Sequence, residues 1–180
     1  MIDKPQGYSK CARFLHWLMA VWMIVMLAVG FYMVDLPSGP LRFGTFYPIH
    51  KISGFFFLFF VIFRLFWRST HPAPPLPKMH PIHRFFAKAS IPVLYAIMFI
   101  MPISGFVMSH ASGHPIAFGS FGTLPAMLPQ NPQLANWASE IHRILPFAII
   151  FILAMHILAA LYHHFILKDT VLRRMIRGGT

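Results

Sequence analysis

The chain has 180 residues, of which 57% are hydrophobic and only 11% are charged, and its formal net charge is +11. This composition excludes a water-soluble globular domain, because too few polar side chains are available to cover its surface. The Lys and Arg residues cluster between apolar runs instead of lining a groove with interleaved aromatic side chains. The positive charge therefore indicates membrane-flanking segments and argues against a nucleic-acid-binding protein.

Four apolar segments are long enough to cross a bilayer as helices. They cover residues 14–34, 50–67, 89–109 and 144–167. The first is longer than the apolar core of a cleavable signal peptide and lacks a small-residue cleavage site, which predicts a retained helix. Pro92 and Pro102 in the third are tolerated because neighbouring helices can satisfy the freed carbonyls. The sequence predicts an all-α protein, a transmembrane four-helix bundle that forms a single unit over residues 1–180.

The Lys and Arg residues are divided unequally between the two sides of these spans. Twelve of the fifteen fall on the side that carries both termini, and only Arg42, Lys51 and Arg143 fall on the other. Cytoplasmic loops of membrane proteins carry the excess of positive charge. We therefore predict that both termini are cytoplasmic and that loops 35–49 and 110–141 lie outside.

Histidines occur inside or at the ends of the spans, where a polar side chain is costly and usually functional. His142 and His156 are fourteen residues apart, which on an ideal helix places them on nearly one face and about 21 Å apart. That spacing suits two metal sites stacked within one bilayer. His50 opens the second span at the same depth as His142, so these two can hold one haem iron between them.

The partners at the inner level stay open on spacing alone. His16 lies just inside Arg13, whereas the last span offers His156, His163 and His164. The only cysteine is Cys11, so a C-x-x-C-H attachment site is absent and any haem would be a non-covalently held b haem. Five further histidines are predicted to be solvated loop residues, namely His71, His80, His83, His110 and His114.

Short motifs occur in a characteristic order along nearly the whole chain. They are RFLHW at 13–17, IHKISG at 49–54, the segment 64–68 before a proline-dense loop, PISG at 102–105 and AALYHH at 159–164. In this order and spacing the chain resembles the bacterial cytochrome b561 family of di-haem membrane proteins. The resemblance implies two b haems in the bacterial cytoplasmic membrane, an inner one bound by His16 and His156 and an outer one bound by His50 and His142.

Cations beside these histidines are candidate partners of the anionic haem propionates, namely Arg13, Lys51 and Arg143. Iron with two histidine ligands has no open coordination position, so such sites pass single electrons instead of activating oxygen. The resemblance further implies oxidation of superoxide coupled to reduction of ubiquinone. Arg42, Lys51 and Arg143 would then be candidates for steering the superoxide anion towards the outer haem.

A quinone needs an apolar slot with hydrogen-bonding groups near a haem. The inner candidates are Tyr162, His163, His164 and Lys168, and an alternative slot lies at the outer mouth near Trp137, Ser139 and Glu140. Two other functions stay open. The chain can be a cytochrome subunit that relays electrons between a docked dehydrogenase or hydrogenase and the quinone pool, or a transporter without haem whose histidines relay protons.

Overall fold

The computed structural model describes residues 7–178, which form five α-helices. They are α1 (Lys10–Asp35), α2 (Tyr47–Thr70), α3 (Pro81–Ala111), α4 (Pro132–Phe165) and α5 (Val171–Ile176). A π-helical turn, Leu41–Phe46, leads into α2, and a short 3-10 turn, Gly119–Phe121, lies between α3 and α4. Over these residues there is no strand, only an isolated antiparallel bridge between Ala117 and Thr123.

The all-α prediction is confirmed, and four helices are long and apolar enough to cross a membrane. All four helices begin before their predicted spans, and α1, α2 and α3 also end after them. The largest difference is in α4, which begins at residue 132 instead of 144, because the Asn131 side chain accepts a hydrogen bond from the backbone N–H of Leu134 at 3.0 Å. Hydropathy marks the part of a helix that lies in hydrocarbon, not the capped end of the helix. The loop predicted at 110–141 is shorter accordingly.

The other end of α4 also differs from the prediction. The helix ends at Phe165, two residues early, because the N–H groups of Ile166 and Leu167 both donate to the Tyr162 carbonyl. Lys168 then adopts a left-handed conformation with φ of 53°. The short helix α5 that follows was not predicted. Lys4, one of the twelve cations counted on the side of the termini, lies outside the described residues.

Side-chain contacts show which helix ends meet. At one end, which we call the terminus face, Trp67 donates to Ser9 at 3.1 Å and Arg13 donates to the Ile176 carbonyl at 2.7 Å. At the opposite end, which we call the loop face, Lys51 donates to the His114 carbonyl at 3.1 Å. The four long helices therefore run alternately up and down.

The helices pack unevenly. Met19, Phe57, Val61 and Met98 form a buried core between α1, α2 and α3. Helix α4 packs closely along α3 and against α5, whereas among the described residues its backbone lies farther from α1 and α2. Large apolar side chains remain exposed on the outside, such as Phe14 at 65% and Phe151 at 68%, as expected for a surface in contact with lipid. The separation of α4 from α1 and α2 leaves room between the helices that carry the histidines.

Candidate functional site

Two pairs of histidines face each other across the gap between α4 and its neighbours. At the loop face, the ring centroids of His50 and His142 are 6.3 Å apart with the ring planes at 85°. Nearer the terminus face, the centroids of His16 and His156 are also 6.3 Å apart, with the planes at 58°. Because α2 and α4 run parallel and α1 runs antiparallel to both, the fold brings together the two histidine pairs that the family resemblance implies.

The spacing within each pair is compatible with one metal ion held between two imidazoles. A metal–imidazole nitrogen bond of about 2.0 Å puts each ring centroid about 3.2 Å from the metal, so two opposed rings have centroids about 6.4 Å apart. Both observed distances agree with this value. Among the described residues, the backbones of α1 and α2 lie farther from α4 than that of α3 does, which leaves room for a flat macrocycle. The residues present therefore fit a haem, which the two histidines of a pair would hold.

The orientation of His142 is set by α3. Its Nδ1 lies 3.1 Å from the Met101 carbonyl oxygen and 3.1 Å from the hydroxyl of Ser104, which is itself buried. Because the Met101 carbonyl can only accept, the His142 Nδ1 carries the hydrogen and donates it. The tautomer that results keeps the Nε2 lone pair free for a metal ion.

Gly105 completes this support by its lack of a side chain. A Cβ atom placed there would lie 2.9 Å from His142 Cε1, closer than real Cβ contacts, and 3.2 Å from His142 Nδ1, which is tighter than most. The PISG motif and the residue before it therefore form a cradle for the His142 ring, which consists of the Met101 carbonyl, Ser104 and Gly105. The motif contributed to the family resemblance, but its contact with His142 was not predicted, since nothing in the sequence pairs these segments.

The facing ligand candidate, His50, packs beside a second glycine. A Cβ at Gly30 would lie 3.4 Å from His50 Cε1, so α1 and α2 approach closely here. The His50 Nδ1 is buried and has no hydrogen-bond partner within residues 7–178. An orphaned buried nitrogen is unusual, and it is a natural contact for a bound group.

The pair near the terminus face has a different neighbour. The Arg64 guanidinium lies with Nη2 3.2 Å from His16 Nδ1, and its Nη1 donates to the Ala12 carbonyl at 3.3 Å. The Trp17 ring packs edge-on against His16, and its indole N–H donates to the Met175 carbonyl at 3.2 Å. Arg64 thus places a positive charge next to this pair. Arg64 begins the 64–68 segment, but the sequence did not predict it to be a site residue.

The candidate propionate and steering cations all have partners in the described structure. Arg13 donates to the Ile176 carbonyl and Lys51 to the His114 carbonyl. Arg42 donates to the Leu36 carbonyl at 2.9 Å and to the Tyr47 hydroxyl at 3.3 Å. Arg143 forms an exposed ion pair with Glu140 at 2.5 Å, which offsets its charge.

The inner quinone candidates do not all point to one place. His163 is buried, with 9% of its surface exposed, and its Nδ1 donates a hydrogen bond to the Asp169 carboxylate. Tyr162 is largely exposed, and His164 packs against Phe165 with a buried Nδ1 that has no partner among the described residues. Lys168 occupies the left-handed turn. At the alternative outer slot, Trp137, Ser139 and Glu140 lie on an exposed surface of α4.

Two histidines predicted to be solvated loop residues are placed differently. His110 belongs to α3 and is only 2% exposed, with its ring stacked on Phe106 and its Nδ1 donating to the Phe106 carbonyl. The prediction was wrong because α3 extends to Ala111 and the following loop covers its end. His83 lies in the first turn of α3 and is half-buried, with its ring 5.6 Å from that of His163. His80 is exposed, as predicted.

Known proteins match this chain over nearly its whole length. The family model for prokaryotic cytochrome b561 matches residues 7–178. "Cytochrome b561 homolog 2" of Escherichia coli K12 is 34% identical, over 97% of this chain and 93% of its own length. "Probable superoxide oxidase CybB" of Yersinia pestis is 29% identical, over 94% of this chain and 95% of its own.

A further relative, "Cytochrome b561 homolog 1" of Escherichia coli K12, is 25% identical over 94% of this chain and 96% of its own length. Together with the four apolar helices, these matches identify a multi-pass protein of the bacterial inner membrane that takes part in electron transport. Family membership implies a b-type haem. The chain belongs to the prokaryotic cytochrome b561 family.

Proposed function

We propose that the chain holds two b haems, one between His50 and His142 and one between His16 and His156. The main observation in support is the equal spacing of 6.3 Å between the ring centroids in both pairs. The cradle that fixes the His142 tautomer and the orphaned Nδ1 of His50 support the same assignment. When bound, each haem supplies a reversible one-electron couple. His142 and His156 lie about 21 Å apart along α4, so the two couples span much of the bilayer.

We further propose that the chain oxidises superoxide at the loop face and reduces ubiquinone at the terminus face, with both termini in the cytoplasm. The similarity to a probable superoxide oxidase supports the donor. The charge distribution supports the orientation, because within residues 7–178 only three Lys or Arg residues lie at the loop face. Two superoxide anions would give two molecules of dioxygen and two electrons, and the quinone would take up these electrons with two protons.

The residues at each end have separate tasks in this scheme. At the loop face, Arg42, Lys51 and Arg143 provide a local positive field for an incoming anion. Arg13 and Lys51 lie close enough in sequence to ligands to exchange a carbonyl partner for a propionate. At the terminus face, Tyr162, His163, His164 and Lys168 supply hydrogen-bonding groups where α4 leaves the apolar layer.

Reconstitution of the purified chain alone tests this function. In liposomes that contain ubiquinone, superoxide generated outside should lead to quinol, and dismutation of the superoxide beforehand should abolish quinol formation. Haem reduction should precede quinol formation. A requirement for an added dehydrogenase or hydrogenase would instead favour the subunit role, and a protein without haem absorption would contradict both.

The ion pair between Glu140 and Arg143 gives a further test of anion steering. Glu140→Gln frees the Arg143 charge, so we expect superoxide to reduce the haems several-fold faster at low ionic strength. The gain should disappear as salt is added, because exposed charges are screened within about 8 Å at physiological ionic strength. Stopped-flow absorbance measures the rate. Arg143→Gln should slow the reaction, and equal rates in both variants and the parent would reject steering.

A further inference from the structure

A histidine–carboxylate pair, His163 and Asp169, lies at the end of α4 on the terminus face. The carboxylate of Asp169 accepts a hydrogen bond from His163 Nδ1 through Oδ2 and one from the Val171 N–H at 2.9 Å through Oδ1. The Asp169 N–H in turn donates to the His163 carbonyl at 3.1 Å. The left-handed turn at Lys168 folds the chain back so that these bonds can form. His163 is therefore held in a fixed orientation, with its Nε2 available for proton exchange.

A row of imidazoles connects this buried pair to the solvent. The His83 ring on α3 lies 5.6 Å from the His163 ring, and the His80 ring lies 6.0 Å from the His83 ring, centroid to centroid. His80 is exposed, His83 is half-buried and His163 is buried. At these separations, neighbouring ring nitrogens can exchange a proton directly or through one bridging water. Burial thus increases stepwise from His80 to His163.

Three titratable groups lie next to His163. From α3 it is faced by His83, from the turn after α4 by Asp169, and its neighbour on α4 is Tyr162, whose ring lies 5.9 Å from that of His83. His163 is seven residues after His156, which on a helix corresponds to nearly the same face and about 10 Å along the axis. The row therefore ends two helical turns from the proposed inner ligand.

We infer that His80, His83 and His163 form a proton-delivery row, oriented by Asp169, for a para-quinone reduced at the terminus face. This inference rests on the proposed function. Each quinone takes two electrons by way of the haem-binding helices and two protons. His163 would release a proton from Nε2 to a quinone oxygen, and His83 would replace it with one taken from water through His80. The Asp169 carboxylate would stabilise the positively charged form of His163.

The test compares an acceptor that needs protons with one that does not. In Asp169→Asn and in His83→Phe, quinol formation by the haem-loaded protein should fall about a hundredfold, the lower range for loss of a general acid. Its dependence on pH should change, and added imidazole should partly restore the rate in His83→Phe. Electron transfer to ferricyanide, which takes up no proton, should stay unchanged. His71→Gln, which alters an inner-loop histidine outside the row, is the matched control and should behave like the parent.

Three outcomes would contradict the proposed proton-delivery row. Quinol formation with the parental rate and pH profile in both variants would reject the row. An equal loss with ferricyanide would also reject it, because the substitutions would then impair electron transfer instead of proton delivery. If the parent protein itself reduces ferricyanide but forms no quinol, the proposed function fails, and the inference fails with it.

Discussion

Replacing His16 and His50 together with alanine is expected to remove both haems, whereas replacing His50 and His142 together should remove only one. The first pair of substitutions takes one ligand from each site. The second takes both ligands from the loop-face site and leaves His16 and His156 opposed at 6.3 Å. Haem per chain, measured by the pyridine haemochrome method on purified protein, should be zero in the first variant and one in the second.

Two further variants make this comparison specific. His16→Ala with His156→Ala should also retain one haem, and its spectrum should complement that of the His50→Ala, His142→Ala variant. His71→Ala with His114→Ala removes two histidines that lie outside both pairs, and this variant should retain two haems. Equal haem loss in the same-pair and cross-pair variants would contradict the pairing, because each histidine would then affect both sites.

Adding one methyl group at Gly105 is expected to disrupt the loop-face site without removing a ligand. In Gly105→Ala, the new Cβ would lie 2.9 Å from His142 Cε1, so the imidazole must move away from α3. That movement breaks the hydrogen bond from Nδ1 to the Met101 carbonyl. Loss of such an outer partner typically lowers metal affinity by about 10–100-fold. We expect partial loss of one haem component, measured by haem content and redox titration, with the other unchanged.

A matched glycine controls for the helix itself. Gly54→Ala on α2 introduces the same methyl group, but its nearest neighbour would be Met26 Cε at 3.7 Å, an ordinary contact. That variant should retain both haem components at parental potentials. If Gly105→Ala has the same haem content and potentials as Gly54→Ala, the cradle does not position His142.

The helical architecture was predictable because its signals are local. An apolar run long enough to cross hydrocarbon identifies each span. A histidine within such a run stands out because placing a polar side chain in hydrocarbon costs free energy. The limits of the helices were less predictable, since they depend on caps such as Asn131 and on turns such as the one at Lys168. Hydropathy carries no information about either feature.

The support around the histidines was not predictable because its partners are distant in sequence or belong to the backbone. His142 is oriented by a main-chain carbonyl at Met101, which no residue type reveals. His83 was interpreted as a solvated loop residue, yet α3 starts early enough to place it against His163. Asp169 marked the end of the last span, and only the fold-back of the chain shows that it binds His163.

The central claim is that opposed histidines at two levels each hold a haem. The most direct measurement is the haem content of the unmodified purified chain, by pyridine haemochrome, together with a potentiometric titration of its reduced-minus-oxidised spectrum. We predict two b haems per chain and two one-electron components. Finding one haem per chain would contradict this claim. A haem that persists unchanged after either histidine of its pair is replaced would contradict it as well.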